Sequence, residues 1–164
     1  YFSNKEEIIR LLYKQLSDAM DELFWDENAS KTEEGIVRFY KKAAWLQKHY
    51  RFFYLELSVL MRNDPLLLET YRKRAEQVRG RFSDIFEYWV SIGIMKAFKS
   101  EEDKIMLVQN SWTIGQLWMT HADILDTDLP PKVMLGGLLR AHHLLKPYFS
   151  TRSNTRIEKY LRDE

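Results

Sequence analysis

The side chains here with the means to do chemistry are four histidines, a large set of aromatics and a carboxylate embedded among apolar residues. His142 and His143 are adjacent, and adjacent helical side chains diverge by about 100°, so they cannot chelate one ion together. His121 lies on the preceding segment; antiparallel packing would set it beside Leu135, roughly two turns from His142. No Gly-rich phosphate loop and no Ser-x-x-Lys, Gly-x-Ser-x-Gly or His-Glu-x-x-His element occurs. The absence of cysteine removes disulfide and thiolate chemistry and fits a reducing compartment. The expectation is no catalytic residue, no metal site and no cofactor.

Binding is the chemistry that the remaining residues suit. Trp45, Phe53, Phe86, Trp89 and Trp112 are large flat side chains spread over several segments, either ordinary core or the walls of an apolar ligand cavity. Gln109, Thr113, Gln116 and Thr120 recur at steps of four, three and four, with no charge between Lys104 and Asp123. A neutral polar stripe of this kind faces a pocket or a partner subunit; solvent would favour charges. Thr113 and Gln116 are its candidates for ligand contact. Glu56, inside RFFYLELSVLM, would need a partner or a raised pKa if buried. It either pairs with a nearby arginine such as Arg51 or Arg62, or meets a polar end of the ligand.

Helices must position these residues. Ser3 with Glu6, and Ser30 with Glu33, form capping boxes opening helices over about 3–26 and 31–48. Ile9, Leu12, Leu16, Ala19 and Leu23 make the first inward face; Ile36, Tyr40, Ala43 and Ala44 make the second. Residues 49–62 read as one helix, apolar on nearly every side and so surrounded by others. Asp64 and Pro65 supply an N-cap and a first-turn proline. The long helix they open, with Tyr71, Ala75, Val78, Phe82, Ile85, Trp89 and Ile92 inward, stops at Gly93. Ser100 caps a helix to about Leu125, a turn at Asp126 to Pro131 leads into a helix ended by Pro147, and a short helix over about 154–161 closes the chain. The fold class expected is all-α, an antiparallel bundle of about seven helices.

The chain of 164 residues, 45% hydrophobic, suffices for one core. A formal charge of +1 is too small for nucleic-acid binding by this piece alone. No signal peptide pattern is present. The uncharged run from Ile105 to Ala122 nears membrane-spanning length, but polar residues interrupt it too often, so no membrane partner is expected.

YFSNKEE resembles the junction in TetR-type bacterial transcription regulators between the helix-turn-helix head and the linking helix. There a Tyr-x-x-Phe segment is followed, two residues on, by Lys-Glu; Phe2, Lys5 and Glu6 match, while Tyr1 stands just before the phenylalanine instead of three earlier. YRFFYLELSVLMRNDPLLLETYRKR, followed by a long helix ending VSIGIM, is similar to the carboxy-terminal domain of one branch of that family. The resemblance implies that residues 1–4 are a remnant of the DNA-reading head and 5–164 a ligand-binding and dimerisation domain. It implies a non-enzymatic, cytoplasmic repressor, released from its operator by a largely apolar or aromatic small molecule. Tyr1 and Lys5 would lie near the DNA backbone in the intact protein, and operator DNA would be a partner only through the missing head. The last two long helices would pair with their copies in a homodimer, with Trp118, His121, Gly136, Leu138, Leu139 and Leu145 at the interface. Gly136 and Gly137, costly inside a helix, fit a close backbone approach there. Two other readings are a helical lipid-binding protein and a helical interaction module without a ligand, its interior filled by its own side chains.

Overall fold

The computed structural model describes residues 4–24, 26, 31–124 and 133–163; the side chains of residues 123, 133–136 and 138 lie outside this description. Among the described residues the chain is all-α, with eight helices: α1 (Lys5–Phe24), α2 (Glu33–His49), α3 (Arg51–Leu55), α4 (Leu57–Asn63), α5 (Pro65–Ser91), α6 (Glu101–Ile124), α7 (Val133–Leu145) and α8 (Thr151–Arg162). The eighth arises because the apolar stretch 49–62 is two helices and not one. Tyr54 would normally offer its carbonyl to the next turn, but Thr120 Oγ1 of α6 donates to it at 2.9 Å. The chain turns at Glu56 (φ −97°, ψ 6°), and α4 starts afresh.

The helix starts differ from the sequence expectation by one or two residues. Asn4 Oδ1 accepts from the Glu7 N–H at 3.0 Å, and Thr32 Oγ1 accepts from the Gly35 N–H at 3.0 Å. Ser3 and Ser30 themselves lie outside the described residues. Any short side chain with an acceptor oxygen can make this bond, so neighbouring candidates compete. Asp64 caps α5 as expected, taking the Leu66 and Leu67 N–H groups at 3.1 Å. Gly93, at φ 78°, ends the helix in the left-handed region that suits glycine. Ser100 Oγ caps α6 through Asp103 N–H. Helix α8 begins at Thr151, three residues before the expected start, because Ser150 takes the Ser153 N–H. An unexpected antiparallel bridge joins Met95 to Phe149 and stitches the α5–α6 connection to the start of α8.

Two apolar clusters form the core. One holds Ile36, Phe86, Leu107, Phe149 and Ile157 from α2, α5, α6 and the α8 region. The other holds Tyr13, Leu16, Phe53, Leu67 and Met119 from α1, α3, α5 and α6. Helix α5, roughly 40 Å long at 1.5 Å per residue, contributes to both. The run 105–122 is not buried all round: α6 packs one side on α3, α5 and α7, while Met106, Leu117 and Ile124 are exposed.

Candidate ligand cavity

A cavity of about 180 Å³ lies between the two clusters, and its walls draw on both. Its floor comes from α2. The inward series Ile36, Tyr40, Ala43, Ala44 and Gln47 falls on one face, and the two alanines leave space that larger residues would fill. Phe53 of α3 and Phe86 and Trp89 of α5 supply aromatic walls, while α6 adds Trp112, Gln116 and Trp118.

The polar groups of the walls are largely occupied with one another. Trp118 Nε1 donates to Gln47 Oε1 at 2.9 Å, and Gln47 Nε2 donates to the Gly115 carbonyl at 2.7 Å. Tyr71 Oη donates to Gln116 Oε1 at 3.2 Å. Arg74, beside the cavity, is balanced by Asp21 and also donates to the Ser17 carbonyl. Burial pushes the phenols of Tyr13, Tyr40, Tyr54 and Tyr71 up, so each stays a neutral O–H at ordinary pH. The arrangement can enclose an uncharged, largely apolar molecule, with Arg74 and Asp26 as the charged residues of its lining.

Of the sequence candidates, Phe53, Phe86, Trp89, Trp112 and Gln116 line this cavity. The other three do not. Trp45 is 55% exposed and stacks on His49, because its position on α2 is opposite the Ile36–Tyr40–Ala44 face. Glu56 is exposed at the α3–α4 break, where its carboxylate needs no buried partner. Thr113 is exposed on the outer side of α6. The neutral stripe thus divides: Gln109 and Thr113 face outward, Gln116 faces the cavity and Thr120 serves the Tyr54 carbonyl. Gln47 lines the cavity without having been among the candidates. Gln47 had a signal, a polar residue continuing the apolar series 36, 40, 43, 44.

The interface candidates also separate. Trp118 is buried within its own chain, and Leu145 lies in the core, so neither is free for a partner. Gly137 explains why: a Cβ there would come within 2.8 Å of the Trp118 ring, so the close approach allowed by glycine is between α7 and α6 of one chain. Leu139 and His121 are exposed. The side chain of Leu138 and the surroundings of Gly136 lie outside the description, as does Tyr1; Lys5 is exposed at the start of α1. Among the described residues no group of three His, Cys, Asp or Glu could hold a metal ion, and no helix is long and apolar enough to cross a membrane.

The eight helices among the described residues pack around two core clusters with a cavity between them. The family model described as TetR, bacterial transcriptional repressor, matches residues 15–157. The chain belongs to the TetR family of transcription regulators. In three dimensions it is similar to a TetR-family transcriptional regulator from Marinobacter aquaeolei VT8, with a TM-score of 0.83 over 97% of this chain and 78% of that one. At 23% identity this likeness speaks for the fold alone. Among curated proteins none matches.

Proposed function

We propose that this chain is the effector-binding and dimerisation domain of a TetR-type repressor, and that the effector is a small, uncharged, largely apolar or aromatic molecule. The cavity between the two core clusters carries this reading. Its volume of about 180 Å³ is close to the ~150 Å³ of an apolar engineered cavity that binds benzene. One ring with a few substituents matches that space, whereas the interaction-module reading would need an interior filled by its own side chains. In the intact, cytoplasmic regulator, residues 1–4 continue a helix-turn-helix head that reads the operator, with Tyr1 and Lys5 near the DNA backbone.

Release from the operator requires that ligand bind the incompetent conformation better than the competent one. Helix α1 is the suitable lever. It lines the cavity through Leu16 and Met20 and is laced to its neighbours by Arg10–Asp64, Arg74–Asp21 and Arg81 to the Phe24 carbonyl. A ligand that displaces α1 would move the heads of a dimer relative to each other. The homodimer reading is supported by Leu117 and Ile124 of α6 and Leu139 of α7, large apolar residues exposed in the single chain.

Titrating the protein with toluene while following melting and tryptophan emission tests the cavity, because Trp89, Trp112 and Trp118 line it. At a hundredfold excess over Kd, binding adds about 2.7 kcal/mol, or roughly 5–10 °C in melting temperature. No change in either signal at saturating toluene would refute an open apolar site.

A further inference from the structure

Tyr40 holds a polar group that the fold leaves without a task. It lies at the cavity wall on the inward face of α2 and is only 6% exposed. Its hydroxyl is buried with no hydrogen-bond partner, and of the buried polar atoms in that state among the described residues it alone belongs to the cavity lining. The neighbouring polar groups cannot be its intended partners. Gln47, Gln116 and Trp118 are engaged with one another or with Tyr71 and the Gly115 carbonyl.

A buried donor without an acceptor costs about 1–3 kcal/mol, and such groups in native structures call for an explanation. Phenylalanine would supply the same ring without that cost. Next to Tyr40 on the same helix face are Ala43 and Ala44, which line the same cavity; the phenol oxygen itself is covered, so a bound molecule reaches it by displacing the side chains packed over it. The charged side chains of the lining have partners already, Arg74 with Asp21 and Asp26 with a contact of its own, so the acceptor need not be ionised.

We infer that the effector carries an uncharged acceptor oxygen, a carbonyl or ether, which takes the Tyr40 O–H while its apolar body fills the space over Ala43 and Ala44. This rests on the reading of the cavity as the effector site. The ligand class is thereby narrowed from hydrocarbon-like molecules to aromatic ketones, esters and ethers. Tyr40 is a specificity residue, donating to an oxygen that a plain hydrocarbon lacks.

Two probes of nearly the same shape test it: acetophenone, and α-methylstyrene, in which =CH2 replaces the carbonyl oxygen. Their dissociation constants are measured by calorimetry on the wild-type chain and on Tyr40→Phe, giving a cycle that isolates the contact. The expected result is that Tyr40→Phe weakens acetophenone by about tenfold and leaves α-methylstyrene within about twofold. The ligand-free variant melts no lower than wild type, since the oxygen it loses has no partner. Equal responses of the two probes to the substitution would overturn the inference while leaving the cavity as an apolar site. Failure of both probes to bind wild type would instead remove the effector-site reading, and this inference with it.

Discussion

At the residue scale, burial decides which polar side chains matter, and burial is what sequence reports least well. Glu56 looked conspicuous among apolar letters and is exposed, whereas Gln47 looked ordinary and sits at the centre of the cavity's hydrogen bonds. His142 gives a second case. Its neighbour in sequence, His143, is exposed, but His142 is 3% exposed inside its own chain, against the ring of Phe149, with neither ring nitrogen hydrogen-bonded. The charged and titratable groups around it are Glu158 of α8 at 3.9 Å, too long for a hydrogen bond, and Lys146 and His143 of its own α7 region. Burial lowers its pKa beneath the ordinary 6.5, outweighing the pull of Glu158. The unfolded chain therefore takes up the proton first. Stability from this group is full above about pH 6.5 and falls as pH drops from there to the depressed folded value, by at most about 1.4 kcal/mol per pH unit. Urea unfolding at pH 7.5 and 5.5 should show a larger decline for wild type than for His142→Phe; equal declines would rule out this origin.

Among the elements, helices announced themselves through periodic apolar residues, proline, glycine and capping side chains, all of which act within a few residues of chain. Asp64–Pro65 and Gly93 bound α5 for local reasons that any context would preserve. The break at Glu56 had no local cause. Beside it Thr120, 66 residues beyond Tyr54, donates to the Tyr54 carbonyl. Helix α1 shows a related division. Its inner face packs Tyr13 and Leu16 into the core, while its contact with α5 combines the Tyr13–Tyr71 and Phe24–Phe82 ring pairs with ion pairs and hydrogen bonds at its rim. The Arg10 guanidinium holds the Asp64 carboxylate below its usual pKa, and Arg74 ties Asp21 and the Ser17 carbonyl. Arg74→Met should cost about 1–2 kcal/mol and speed amide exchange in the Ser17–Phe24 half of α1, leaving α5 and α6 protected. Unchanged α1 exchange would mean that Arg74 does not hold the helix.

For the whole molecule, the question is what covers the outer face of α6. Leu117 and Ile124 of α6, 47% and 75% exposed, and Leu139 of α7 are large apolar side chains at the surface of the single chain. A wild-type chain in sedimentation velocity at micromolar concentration should run as a dimer. Leu117→Glu, a change at an exposed position that leaves the core intact, should weaken association by at least about tenfold by putting an unpaired carboxylate into the contact. A monomeric wild type would refute the dimer. By itself the sequence determined the all-α class, the order of the long helices, and the cap and stop of α5, because these follow from local propensity and from a 3.6-residue period. Family kinship was also legible in it. Only the tertiary structure decided that the core divides around a cavity, that Trp118 turns inward against Gly137, that the neutral stripe of α6 splits between three tasks, and that the Tyr40 hydroxyl remains unclaimed. Those outcomes depend on which faces meet across distant segments, and packing between elements sets that geometry where no neighbouring residues encode it.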